Sequence, residues 1–164
     1  IYLGTFSKSI APSLRISYME LPPSLLNIYL EQYLSFQSAV SRFEQAVLHE
    51  FILSGHFETH LNKMRKVYRT RCQELTQELS VFGADLQISG ESAGLYLVAQ
   101  LKNGLTEEEM CRRAYRYGVK VYPISPYFNG PVPSEHQSKV LLGFGALNSA
   151  QIQQGVALLK KAWT

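Results

Sequence analysis

Apolar and polar positions change their period several times along the chain, and the changes mark out its elements. Ile1-Tyr2-Leu3 is a short apolar run, residues 4–13 are rich in small and hydroxyl side chains, and residues 14–21 turn apolar again. That pattern predicts strand, loop and strand. Pro22-Pro23 stops the second strand, and Ser24 stands where it would cap a short helix reaching about Leu34. From about Ser38 to Leu53 the apolar positions Val40, Phe43, Val47 and Phe51 recur at helical spacing. Ser54-Gly55 ends that helix. A longer helix is predicted over residues 57–82, because Phe57, Leu61, Met64, Tyr68, Cys72, Leu75, Leu79 and Phe82 follow one another in steps of three and four, forming one unbroken stripe. From Gly83 on, short strands take over. Residues 85–89 and 94–101 read as strands, Thr106 and Glu109 form a capping box for a helix ending at Gly118, and residues 119–122 and 139–144 read as two more strands. Asn148 or Ser149 caps a last helix with Ile152, Val156, Leu159 and Trp163 on one face. Residues 84–164 therefore read β-β-α-β-β-α, with helices covering one face of a sheet.

Charge is spread unevenly over these elements. Residues 1–41 hold only Lys8, Arg15, Glu20 and Glu31, which suits the interior edge of a larger body better than a free surface. The expectation is that residues 57–164 fold as a compact unit while residues 1–50 need a partner, since a two-stranded sheet is marginal alone. The chain opens on Ile1 within an apolar run, and we read it as a piece of a longer protein. Over all 164 residues, 46% are hydrophobic and 18% charged, against a usual charged share of about 25%. This composition excludes disordered and collagen-like classes. The net charge of +3 gives no electrostatic argument for a nucleic-acid partner. Two cysteines, Cys72 and Cys111, exclude a disulfide scaffold and suit a reducing compartment. No apolar run approaches the ~20 residues that span a bilayer, and no signal peptide is visible, so a cytoplasmic protein without membrane contact is expected.

The stretch Gly4-Thr5-Phe6-Ser7-Lys8-Ser9-Ile10-Ala11-Pro12-Ser13-Leu14-Arg15 carries the most chemistry. A lysine follows an apolar strand among hydroxyls, and an arginine follows seven residues later, after a proline-containing turn. Hydroxyls and a guanidinium fork suit a phosphate. A lysine desolvated beside an arginine has its pKa lowered, which frees the amine to attack a carbonyl. The plainer reading is an exposed turn lysine beside a structural arginine. Two rival motifs fail: a P-loop requires glycine where Ser7 stands, and a serine–lysine acyl-transfer site requires serine where Thr5 stands.

This stretch, continued through Ile16-Ser17-Tyr18, resembles the lysine segment of fold-type-I pyridoxal-phosphate enzymes, and especially the aminotransferase-like domain of MocR/GabR-type regulators of the GntR family. Ser41-Arg42-Phe43-Glu44-Gln45-Ala46, the run from Gly55 to Tyr68, Ala93-Gly94-Leu95-Tyr96, Gly118-Val119 and Leu142-Gly143-Phe144 extend the likeness over the whole chain. The resemblance implies a fold that is α+β as part of an α/β protein. Residues 1–50 would be the remnant of a large cofactor-binding domain, residues 51–83 a long linking helix, and residues 84–164 a small C-terminal α+β domain. It implies pyridoxal 5′-phosphate held by Lys8 as a Schiff base, with Arg15 and Thr5 on its phosphate and Ser7 as a further hydroxyl candidate. It also implies a homodimer, a small amino compound as effector or substrate, and DNA contact only through a winged-helix domain preceding this chain. The pyridine-nitrogen aspartate, the ring-stacking residue and a phosphate-binding loop would likewise precede Ile1.

Three positions depart from the family pattern. Leu141 stands where many aminotransferases carry a carboxylate-binding arginine, with Lys139 two residues earlier on the same strand face; Tyr96 stands where a histidine is frequent; and Ser13 stands where a glycine is frequent. The first departure favours a regulator over the alternative, a transaminase acting on an amino acid. A third possibility is a polypeptide that only folds or dimerises. Elsewhere, His56 and His60 flank Glu58 without a third metal ligand, so no metal is expected. Lys63, Arg65, Lys66, Arg69 and Arg71 read as a solvated helix face. Tyr29, Tyr33 and Phe36 form core or a dimer face, and Tyr127 and Phe128 either approach a ligand or anchor their loop.

Overall fold

A computed structural model describes residues 1–33, 35–36, 40–92 and 94–164. Leu34, Ser38 and Ala93, at which the sequence reading placed a helix end, a helix start and part of a motif, lie outside the described residues. The chain divides into two compact units, Ile1–Arg65 and Lys66–Thr164.

In the first unit, β1 (Tyr2–Thr5) pairs antiparallel with β2 (Ser17–Glu20), with Gly4 opposite Tyr18 and Thr5 opposite Ser17. A four-residue helix, α1 (Phe6–Ser9), follows β1 directly. The second strand is shorter than its apolar run suggested. Residues Pro12–Leu14 form a 3-10 turn closed by the Leu14 N–H on the Ala11 carbonyl (3.1 Å), and Arg15 takes a left-handed conformation (φ 50°, ψ 27°) before the strand begins. Helix α2 (Pro23–Tyr33) starts one residue ahead of the expected cap. The Pro22 carbonyl accepts the first bonds, from Leu25 and Leu26 (3.0 and 2.9 Å), and Pro23 needs no partner for a missing N–H. Helix α3 (Arg42–Leu53) starts later than expected, because Ser41 and Glu44 close a reciprocal capping box there. Gly55, at φ 77°, lets the chain turn into α4 (His56–Leu79).

In the second unit, the end of α4 runs into a 3-10 segment, Ser80–Asp85, so the apolar stripe outlasts the α-helix. Four antiparallel strands follow: β3 (Leu86–Ser89), β4 (Tyr96–Leu101), β5 (Tyr122–Pro123) and β6 (Lys139–Gly143), in spatial order β3-β4-β6-β5. Helix α5 (Glu107–Arg116) lies between β4 and β5 in sequence, and α6 (Ser149–Trp163) ends the chain. The unit is α+β, in the order the hydrophobic pattern predicts. Leu97, Ala99 and Leu101 of β4 and Val140 and Leu142 of β6 alternate into a core shared with the α4 end, α5 and α6. The opposite sheet face, carrying Tyr96, Val98, Gln100, Lys139 and Leu141, is only partly covered. Trp163 is the single tryptophan. It is 1% exposed, its indole N–H donates to the Met110 carbonyl (3.1 Å), and its ring lies 5.8 Å from that of Phe82.

Local signals terminate α5 as expected. Gly118 (φ 79°) donates to the Tyr115 carbonyl and Val119 to the Ala114 carbonyl, both at 3.0 Å, in a Schellman arrangement. At the other end Thr106 caps through its hydroxyl, but Glu109 does not reach back to it. Its carboxylate instead pairs with Arg113 (2.7 Å) and Arg112. The Arg113 guanidinium, and after it that of Arg112, hold the Glu109 carboxyl below its ordinary value.

Two outcomes are expected. Trp163→Ala removes the largest core side chain and is expected to cost about 3–5 kcal/mol in urea unfolding followed by circular dichroism. Because the Glu109 pKa is depressed on folding, its contribution is present above the ordinary carboxylate range and is lost as pH falls through the lowered value. Glu109→Gln is expected to remove that acid-side loss from the pH–stability curve; an unchanged curve would count against the pairing.

Candidate functional site

The lysine-bearing turn is built from the end of β1 outward. Thr5 closes the strand and caps α1: its hydroxyl oxygen accepts the Ser7 N–H (3.2 Å) while its hydrogen goes to the Ile16 carbonyl (3.2 Å). The Phe6 N–H donates to the same carbonyl (2.9 Å), so Ile16, the one buried apolar residue of residues 1–65 among those described, ties the start of the turn to its end. The Ser9 hydroxyl is spent on the Thr5 and Phe6 carbonyls (3.4 Å each). Ser7 alone of the three keeps its hydroxyl hydrogen uncommitted among the described residues. Ile10 and Leu14, from the same turn, line a small apolar cavity of about 180 Å³ with Val47, Leu48 and Phe51 of α3.

Lys8 lies in the last turn of α1 and is exposed, as is Arg15. Neither forms an ion pair or hydrogen bond among the described residues. The burial that the desolvation argument requires is not supplied by this chain. Arg15 is the only non-glycine residue at positive φ among those described. A left-handed backbone costs an ordinary residue on the order of 1 kcal/mol, and such strain concentrates at functional positions.

Gly4 has a steric task. A Cβ there would collide with the ring of Tyr18, which lies across the hairpin from it. That close approach lets Tyr18 pack on Phe6 (5.4 Å between centroids) and Tyr2 (6.0 Å). Its phenol is pushed above the ordinary value, chiefly by a hydrogen bond with Tyr2. Phe6 also meets Phe57 edge-on (5.9 Å).

Other positions singled out from the sequence have plainer surroundings. His56 and His60 lie against the Phe51 ring (6.2 and 6.4 Å), and no group of three metal-ligating side chains occurs among the described residues. Tyr29 stacks on Tyr33 (5.7 Å) and Tyr33 lies 5.9 Å from Phe36; all three stay exposed. Of the basic run on α4, Arg71 reaches the Gly145 carbonyl and Arg65 donates to Asn62 (3.1 Å). Phe128 packs on His136 (5.1 Å), so it anchors its loop, whereas Tyr127 is exposed. Leu141 is half-buried on the open sheet face, and the Lys139 amine lies 2.9 Å from His136 Nδ1. Sequence reasoning missed Glu107, whose carboxylate accepts the N–H groups of Ile124 and Ser125 (2.6 and 2.9 Å) and holds the start of the long loop. Nothing in the local pattern separates it from Glu108.

The chain is 37% identical over 164 residues to the HTH-type transcriptional regulator YhdI of Bacillus subtilis, covering 99% of this chain and 34% of that protein. It is 33% identical to the probable rhizopine catabolism regulatory protein MocR of Rhizobium meliloti, covering 99% of this chain and 33% of that one. Among solved structures, LysN, the α-aminoadipate aminotransferase of Thermus thermophilus complexed with N-(5′-phosphopyridoxyl)-L-leucine, superposes with a TM-score of 0.81 at 27% identity, covering 98% of this chain and 41% of that one. Over its whole length the chain is similar to MocR-type regulators and to the aminotransferase fold, which fits the aminotransferase-like domain of such regulators. It spans about a third of the length of the regulators it matches. No family model matches it. No helix among the described residues is long and apolar enough to cross a membrane.

Gly4→Ala is expected to displace Tyr18 and loosen the lysine turn by about 1 kcal/mol, the usual worth of aromatic pairing of this kind. Faster amide exchange at Phe6, which bridges to Ile16, is the measurement; unchanged exchange would mean that the ring adapts without cost.

Proposed function

We propose that this chain supplies the cofactor lysine and the phosphate-binding arginine of a pyridoxal-phosphate effector domain in a MocR-type transcriptional regulator. Residues 1–50 belong on this reading to the large cofactor-binding domain, residues 51–83 to the linking helix and residues 84–164 to the small domain. The observation that carries it is the turn from Lys8 to Arg15. One cation is held at the end of α1 and the other on a strained left-handed backbone, both free of protein partners among the described residues. The donor set fits a phosphorylated carbonyl compound. Arg15 offers a guanidinium fork and Ser7 an uncommitted hydroxyl. Thr5 fixes the turn through Ile16 and reaches the phosphate only by releasing that carbonyl. Lys8 offers the amine for covalent attachment. When bound, the cofactor supplies an electrophilic carbonyl carbon and an electron sink.

The regulator relatives support DNA contact through another domain and a cytoplasmic location, and the 2-aminoadipate transaminase relative supports an amino compound as effector. The exposed apolar residues of β1, β2, α2 and α3 support a homodimer in which they are covered. Leucine at position 141, in place of a carboxylate-binding arginine, supports signalling over amino-acid turnover. A transaminase is the alternative, supported by 27% identity to the 2-aminoadipate transaminase of Thermus thermophilus.

The test is chemical. The protein, in its full natural length, is incubated with pyridoxal 5′-phosphate, reduced with borohydride and digested. The cofactor mass is expected on the Lys8 peptide; its appearance on another lysine instead would overturn the assignment. Arg15→Gly relieves the backbone strain and removes the guanidinium, so it is expected to leave folding intact while weakening cofactor binding about ten- to hundredfold. Unchanged affinity would make Arg15 a purely structural residue.

A further inference from the structure

The second unit holds a concavity that none of the residues discussed as the cofactor site enters. Arg112, Tyr115 and Arg116 on α5, together with Cys111, Lys120 and Val121, line a cavity of about 430 Å³. That volume lies within the roughly 300–1,000 Å³ of small-molecule sites. The Schellman turn at Gly118 reverses the chain between Arg116 and Lys120, which brings the end of the helix and the segment after it to one hollow.

The charges there are not balanced internally. Arg112 is paired with Glu109. Arg116 and Lys120 have no carboxylate partner among the described residues; the Lys120 ammonium lies 5.1 Å from the Tyr122 ring centroid. Two cations without a carboxylate partner at one hollow focus a positive potential into it. A monocarboxylate would leave one of them unmatched. A phosphomonoester, carrying about −1.5 to −2 charges at neutral pH, matches both. The rest of the lining is apolar in character: Val121 is buried at the floor and Cys111 half-buried beside it. At the edge Tyr115, 75% exposed, contributes nothing to the core and presents a ring.

We propose that this cavity binds a phosphomonoester carrying a planar ring. The phosphate sits on Arg116 and Lys120, with Arg112 beside them, and the ring lies against Tyr115 and the Val121 floor. Two sources share this chemistry, a mononucleotide and a free pyridoxine-type phosphate. The site uses no residue of the lysine turn and does not depend on the function proposed for it.

The 164-residue chain is titrated with adenosine 5′-monophosphate and with pyridoxine 5′-phosphate, whose alcohol forms no link to an amine. Adenosine, pyridoxine and inorganic phosphate serve as controls. At least one ester is expected to saturate near or below ~1 mM and to bind at least about tenfold tighter than its dephosphorylated form and than inorganic phosphate. Saturation by one ester alone identifies the source, and saturation by both assigns the shared chemistry. The double variant Arg116→Ala with Lys120→Ala is expected to lose at least about tenfold in affinity. Tyr115→Ala is expected to weaken the ester but leave inorganic phosphate unchanged. These side chains are exposed, so the variants leave the core intact, and an unchanged circular dichroism spectrum verifies it. The proposal is overturned if neither ester saturates by ~10 mM, if binding survives the double variant, or if it is lost instead on Arg15→Ala.

Discussion

The second unit depends on covering one face of an antiparallel sheet from one side only. Leu97, Ala99, Leu101, Val140 and Leu142 alternate toward that face, and they are buried because α6, α5 and the end of α4 close over it. Trp163 is the keystone, since it combines the largest buried side chain with a hydrogen bond to the Met110 carbonyl. A buried indole N–H has to find an acceptor, and this one ties the last turn of α6 to the middle of α5. A second bond, from Asn103 to the Trp163 carbonyl (2.8 Å), closes the same end of the helix onto the loop after β4. The loop after α5 is held separately, by Glu107 accepting from Ile124 and Ser125.

The first unit is organised differently. Its described residues bury Ile16 and otherwise keep large apolar side chains in contact with solvent, among them Ile1, Leu3, Phe36 and Phe43. What order it has around the lysine comes from short polar bridges and ring contacts: the Ile16 carbonyl accepting from both Thr5 and Phe6, and Tyr18 lying over Gly4. Such a turn is positioned by a few interactions rather than by a packed interior. Its side chains Lys8, Ser7 and Arg15 are therefore left without competing partners among the described residues. The same unit leaves a larger share of its apolar side chains exposed than the second unit does.

A fair share of both units was legible in the sequence, and the residues say why. Gly118 after α5 and Asn148 before α6 act within five residues of their partners, so their meaning is local; the equally local Ser41–Glu44 box sets the start of α3 at Arg42, where helical spacing alone suggested about Ser38. The α4 stripe is likewise a matter of spacing. Every one of its residues from Phe57 to Phe82 is at least half-buried. The capping box expected at Thr106 shows the limit of such reading: two arginines one turn on outcompeted the backbone for Glu109. The start of β2 shows another, because an apolar run does not reveal that Arg15 leaves extended geometry.

The sequence alone determined the order of elements, the cap at Asn148, the stop at Gly118 and the lysine segment with its resemblance to the MocR type, because each of these rests on contacts within one or two turns of chain. Tertiary structure alone decided which polar groups are already engaged. The Thr5 hydroxyl is committed to a carbonyl eleven residues away, Glu107 to amides seventeen and eighteen residues on, and Asn103 to the last helix turn sixty residues on. It also decided that Arg112, Arg116 and Lys120 border one hollow. Hydrogen bonds and charge balance between distant segments depend on strand register and on how a core closes. No spacing in the chain encodes those separately from the fold itself.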